Sequence, residues 1–150
     1  MYLSTTDWRW SCAANLPENA TTLASGEGEG AMTEPRNFTG GCHCGLVRFE
    51  CTSDLAMVTA CNCSICTKKG LHFTFLSPKS FQLRAGEENL KEYLFNKHAI
   101  RHQLCADCGV DVFARGQKTD GTEIVALNVS CIDGIDLARV TMTPIDGRNR

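Results

Sequence analysis

The chain has 150 residues, a formal net charge of −2 and a hydrophobic content of 43%. This length favours one domain with a modest core. The near-neutral charge argues against a protein that binds nucleic acid through a general basic surface. No apolar stretch approaches the roughly 20 residues of a membrane span, so we expect no membrane association. No basic region followed by an apolar core indicates a signal peptide.

Residues 1–36 differ in composition from the rest of the chain. They contain a Gly/Glu-rich run at residues 24–31, which is typical of flexible linkers. We therefore expect residues 1–36 to be a disordered tail, or a misassigned extension with Met32 as the true start. Residues 37–150 are expected to form the folded domain.

From Phe38 onward, hydrophobic alternation predicts a mainly β domain. In the segment 46–51, Val47, Phe49 and Cys51 fall on one face, and polar residues fall on the other. Further strands are predicted, in chain order, at 56–60, 72–76, 80–84, 91–95, 99–104, 110–114, 123–129 and 139–143. Helical periodicity is weak and indicates only a turn at 64–69 and a short piece at 87–90.

Seven of the ten cysteines lie in three clusters. The clusters are Cys42 with Cys44, then Cys61, Cys63 and Cys66, then Cys105 with Cys108. Such C-x-C and C-x-x-C spacings are more typical of metal-binding sites than of a disulfide framework. Zinc prefers thiolates in tetrahedral geometry. Together with the lack of a secretory signal, this pattern favours a reducing compartment, and we expect a cytoplasmic protein.

A zinc ion takes four ligands, so seven cysteines make one complete site and one site that lacks a ligand. Cys105 and Cys108 are followed by glycine, as is the Cys42–Cys44 pair, and glycine accepts the positive φ of a tight turn. Each pair can supply half of a four-thiolate site. The three remaining cysteines leave an open fourth position, which is typical of catalytic zinc.

Two alternatives remain at this stage. The Cys105–Cys108 pair could be a redox motif. The second site could be closed by His72, His98, Cys51 or Cys131, which would make the protein a zinc-stabilised scaffold. For Cys51 and Cys131 the pattern favours buried free thiols.

Among the other polar residues near the clusters, we expect His43 to be exposed. His72 and His102 are tentative groups for proton transfer. Lys68 and Lys69 could attract an anionic substrate, although a solvated turn is favoured.

These residues resemble the glutathione-dependent formaldehyde-activating enzyme family, whose members include the domain of centromere protein V. The resemblance rests on residues 41–45 with 47–49, 61–69, Gly86, Leu90, Tyr93, 102–109, Asp146 and Gly147. Gln103 and Leu104 depart from the family pattern, which usually has an aromatic pair there. If they line the site, a different substrate is implied.

The resemblance implies an Mss4-like (β-tent) fold of small antiparallel sheets stapled by zinc. It assigns a structural zinc to Cys42, Cys44, Cys105 and Cys108, and a second, catalytic-type zinc to Cys61, Cys63 and Cys66. The implied activity is that of a carbon–sulfur lyase of the S-hydroxymethylglutathione synthase type, with glutathione as co-substrate and a small aldehyde as partner. The alternative function is a non-catalytic zinc-stabilised module that binds a protein or a nucleic acid.

Overall fold

The computed structural model describes residues 34–94 and 97–149, so the predicted tail lies almost entirely outside the described residues. The described elements are β1 Arg36–Gly41, β2 Arg48–Ser53, β3 Val58–Cys61, α1 Ser64–Lys69, β4 His72–Leu76, β5 Phe81–Ala85, β6 Leu90–Leu94, β7 Arg101–Cys105, β8 Asp111–Gln117, β9 Glu123–Asn128 and β10 Met142–Ile145. Short 3₁₀ turns connect several of these strands. The predicted mainly β class is confirmed.

The described strands form two sheets. A three-stranded sheet has the order β1-β2-β5, and a seven-stranded sheet has the order β10-β3-β4-β9-β8-β7-β6. The described neighbours are antiparallel except for β10, which runs parallel to β3. The predicted fold of small antiparallel sheets is confirmed, and the larger sheet adds one parallel pair, β10 with β3.

Aromatic side chains fill the core between the sheets. Phe81 on β5 contacts Phe49, with ring centroids 5.6 Å apart, and Phe113 on β8, with centroids 4.7 Å apart. All three rings are buried. The alternation predicted for 46–51 is present, since Phe49 and Cys51 are buried and Glu50 is exposed. Burial of these aromatic rings therefore joins one sheet to the other.

Seven of the nine predicted strands begin one to three residues away from the predicted start. The segments before β2 and β8 form turns, because Cys42 N–H donates to Val47 O (3.0 Å) and Cys105 N–H donates to Val110 O (2.9 Å). The strand predicted at 139–143 is displaced to β10. A 3₁₀ turn precedes β10 and is capped by the Asp136 carboxylate, which accepts from the N–H of Ala138 at 3.0 Å.

The helical predictions are mostly confirmed. The turn expected at 64–69 is α1, and the piece expected at 87–90 is a 3₁₀ turn at Glu87–Asn89. Within the described ranges, no helix combines the length and the apolar character needed to cross a membrane.

Candidate metal centres

The first cluster brings together four sulfur atoms from two distant turns. The Sγ atoms of Cys42, Cys44, Cys105 and Cys108 all lie within 4.8 Å of one another. The Cys44 sulfur is 3.4 Å from that of Cys42 and 3.6 Å from that of Cys105. A tetrahedral zinc with Zn–S bonds of about 2.3 Å requires sulfurs about 3.8 Å apart, so the arrangement fits a four-thiolate ion. It also disfavours a separate redox pair at Cys105 and Cys108.

Both turns of the first cluster have the same backbone design. Gly45 and Gly109 have φ of 82° and 74°, in the left-handed region where glycine is favoured, as predicted. Gly109 N–H donates to Cys105 O at 2.9 Å and closes the turn. The N–H of Val47 then donates to the Cys42 sulfur at 3.3 Å. Such donors stabilise a thiolate ligand.

Crowding of the thiols in the first cluster moves their pKa values apart. Burial raises the pKa of Cys108, but hydrogen bonds from the backbone of Val110 and Cys44 and from neighbouring thiols outweigh it and lower this pKa to about 6. The N–H of Leu46 lowers the pKa of Cys44, but desolvation and the surrounding sulfurs raise it to about 12. A cation bound among these sulfurs would favour their thiolate forms.

The second cluster is built from one short stretch of chain. Cys61 ends β3, Cys63 precedes α1, and Cys66 lies within α1 and is buried. Their three Sγ atoms lie within 4.8 Å of one another, and the described residues add no fourth donor to this group. The first turn of α1 places Cys63 and Cys66 on one side of the helix, because residues three apart are neighbours on its surface.

The same crowding operates in the second cluster. Burial raises the pKa of Cys66, and hydrogen bonding to Cys63 and the negative charges of Cys63 and Cys61 raise it further. Burial also raises the pKa of Cys63, but hydrogen bonds from the backbone of Cys66 and from the neighbouring thiols outweigh it, and the net pKa is lowered. The group thus has the donor chemistry of a thiophilic cation site with an incomplete ligand set.

The alternative fourth ligands lie outside the group of three sulfurs. Cys51 and Cys131 are buried thiols, as expected, and burial raises the pKa of Cys51 to about 11 and that of Cys131 to about 12. His98 is exposed near the start of β7. His72 is half-buried on β4, and its Nδ1 has no hydrogen-bond partner among the described residues.

The other two histidines differ in their surroundings. His43 is exposed, as expected. His102 is buried on β7, its Nδ1 lies 3.0 Å from the Asp111 carboxylate, and its ring lies 6.1 Å from that of Phe73. Gln103 beside it donates to the Glu92 carboxylate at 2.8 Å, so its side chain is bound to the neighbouring strand β6.

Lys69 lies in an exposed turn, as favoured, but its ammonium group also has a buried partner. Its Nζ lies 3.2 Å from the carboxylate of Asp111, whose side chain is only 2% exposed, and 5.5 Å from the ring centre of Tyr93. Lys68 is exposed. Asp111 was not among the residues predicted for the site. The feature that could have identified it is an acidic residue at the start of an otherwise apolar strand, three residues after Cys108.

The mainly β fold and the two thiol clusters define a class, that of small β proteins with two sites suited to thiophilic metal ions. The family model described as glutathione-dependent formaldehyde-activating enzyme matches residues 37–145. The chain belongs to this family, which has the Mss4-like (β-tent) fold. Its structure is also similar to the crystal structure of a Rhodobacter sphaeroides protein, a structural-genomics target, with a TM-score of 0.62 and 27% sequence identity. That match covers 71% of this chain and 97% of the other.

Proposed function

We propose that the chain is a cytoplasmic, zinc-dependent carbon–sulfur lyase that forms or cleaves the adduct of a glutathione-like thiol with formaldehyde or another small aldehyde. The observation that supports this most strongly is the second cluster, whose three sulfurs form a ligand group without a fourth described donor. In this proposal Cys61, Cys63 and Cys66 hold the second zinc. Cys42, Cys44, Cys105 and Cys108 hold the structural one. Zinc bound by three thiolates would supply Lewis acidity that lowers the pKa of a thiol entering the open position.

The reaction balances without an oxidant or a reductant. In the direction of synthesis, a bond forms between the thiol sulfur and the aldehyde carbon, and the carbonyl π electrons move to oxygen. The proton lost by the thiol ends on that oxygen, and cleavage reverses each step. The chain's part is therefore to bind the thiol, orient it and move one proton.

His72 and His102 are the two histidine candidates for proton transfer in this proposal. His72 pairs in the sheet with Ala60, so its side chain lies on the face opposite to that of Cys61, and its Nδ1 is buried without a hydrogen-bond partner among the described residues. His102 is buried, and its Nδ1 is bound to Asp111. A carboxylate bound at Nδ1 orients an imidazole, and proton exchange then falls to its Nε2.

The test is a titration of the two-zinc protein with millimolar glutathione, followed by zinc-edge X-ray absorption. One four-sulfur site and one three-sulfur site average about 3.5 sulfurs per zinc, and thiol binding should raise this average to about 4. S-methylglutathione, which has no free thiol, is the matched control and should leave the average unchanged. Exchange NMR with labelled formaldehyde then measures whether the protein speeds interconversion of free thiol and adduct. An unchanged average with glutathione would contradict the proposal and support the non-catalytic zinc module.

A further inference from the structure

The C-terminal residues 145–148, which we call the C-terminal clasp, bind the turn between the first two cysteines of the second cluster. Asn62 N–H donates to Ile145 O at 3.1 Å, and the Asn62 side-chain amide donates to Asp146 Oδ1 at 2.9 Å. The N–H of Arg148 donates to Asn62 Oδ1 at 2.9 Å. Asn62 thus binds the clasp through its backbone N–H and through both the nitrogen and the oxygen of its side-chain amide.

Gly147 in the clasp packs directly against the sulfur cluster. A Cβ added at Gly147 would overlap the sulfur of Cys61 and lie 3.1 Å from Cβ of Cys63. The φ of Gly147 is outside the left-handed region, so an alanine would be permitted by the backbone. The position therefore requires glycine because the cluster leaves no space for a side chain.

The overlap has different consequences with and without a metal ion. An unbound Cys61 side chain can rotate about χ1 to make room for a methyl group. A Cys61 thiolate that ligates a metal together with two other sulfurs cannot rotate without leaving the ion. A methyl group at position 147 should therefore weaken the metal site far more than the fold.

We propose that the C-terminal clasp is part of the second metal site, with Asn62 and Gly147 as positioning residues that keep the Cys61 thiolate directed at the ion. This inference rests on the proposed function, because it requires that the three sulfurs bind a metal. It adds that a segment 86 residues from Asn62 in the chain controls how firmly that metal is held. Removal of residues that orient metal ligands typically lowers metal affinity roughly 10- to 100-fold.

The experiment measures zinc release from the full-length two-zinc protein into a chromophoric chelator. Cys63→Ser identifies the release phase of the second site, because that phase should be missing in this variant. Gly147→Ala should accelerate the same phase roughly 10- to 100-fold, or lose that zinc, while the first zinc and the far-UV circular dichroism are retained. Gly116→Ala is the matched control, since its Cβ would meet its nearest neighbours at 3.7 and 3.8 Å and should leave both phases unchanged.

Asn62→Ala removes the side-chain hydrogen bonds of the clasp without adding bulk, and it should shift the second phase in the same direction. If both variants release the second zinc at the wild-type rate, the clasp inference is wrong although the proposed function stands. If Gly147→Ala or Asn62→Ala loses both zinc ions together, the clasp supports the fold in general, and the inference is equally overturned. A wild-type protein with no second release phase would instead refute the proposed function.

Discussion

At the scale of single residues, the largest departure from expectation is the buried carboxylate of Asp111. It accepts from Lys69 at 3.2 Å and lies 3.0 Å from His102 Nδ1, while its second oxygen is buried without a hydrogen-bond partner among the described residues. A buried charge is tolerated when it is paired, and removing a partner is costly. Through Lys69 the carboxylate connects α1 with the turn that follows Cys108.

Replacing this charge should destabilise the protein. Asp111→Asn keeps the size of the side chain but leaves Lys69 without its anion, and we expect a loss of about 2 kcal/mol in the free energy of unfolding. Urea denaturation at saturating zinc measures this loss. Asp136→Asn is the control, because Asn caps a helical turn as well as Asp does, and it should change stability by less than about 0.5 kcal/mol. Equal losses in the two variants would contradict a stabilising ion pair at Asp111.

At the scale of elements, aromatic packing and hydrogen bonds hold the two sheets together. The Phe81–Phe113 contact joins β5 to β8. Around it, Arg48 on β2 forms an ion pair with Asp133, which also accepts from the Thr39 hydroxyl at 2.9 Å. Exposed ion pairs such as Arg48–Asp133 contribute little, so the buried aromatic rings supply most of the adhesion.

Truncation of the central ring should therefore be severe. Phe113 is fully buried, and Phe113→Ala should cost about 3–5 kcal/mol through lost burial and a cavity. Phe75→Ala removes the same group from a site that is 48% exposed and should cost less than about 1 kcal/mol. Thermal unfolding of the two variants at equal zinc measures the difference. A Phe113 variant no less stable than the Phe75 variant would show that the sheets are held together by other contacts.

At the scale of the whole molecule, the two thiol clusters differ in which parts of the chain they bring together. The first cluster joins the β1–β2 turn of the smaller sheet to the β7–β8 turn of the larger one. It brings together Cys44 and Cys105, which are 61 residues apart. The second cluster closes a loop of only a few residues, so the first restricts the unfolded chain more strongly, by roughly 2 kcal/mol of loop-closure entropy.

Removal of each metal should accordingly have a different effect on the fold. In the proposed two-zinc protein, Cys105→Ser would remove a ligand of the first site and should abolish cooperative unfolding, because metal binding would be coupled to folding. Cys63→Ser should lose one zinc and keep the secondary structure. Circular dichroism and metal analysis of both variants test this. Collapse of the fold in Cys63→Ser would show that the second centre is also structural.

Features that depend on residues close together in the sequence could be predicted, whereas contacts between distant segments could not. The three-sulfur cluster was predictable because Cys61, Cys63 and Cys66 lie within one turn and one short helix, whose geometry is local. Strands were predictable from alternation, although the turns bonded to Cys42 and Cys105 shortened two of them. Counting ligands also indicated which two pairs complete one site.

The sequence by itself thus determined the mainly β class, the glycines of the cysteine turns and the grouping of three cysteines in the second cluster, because each follows from neighbours along the chain. Only the tertiary structure decided that Lys69 pairs with Asp111, 42 residues away, and that Asn62 binds the chain near its end. Alternation specifies which face of a strand is buried, but it does not specify the partner strand. Contacts between distant segments arise only when the sheets pack, and for this reason the C-terminal clasp against Cys61 was not visible in the sequence.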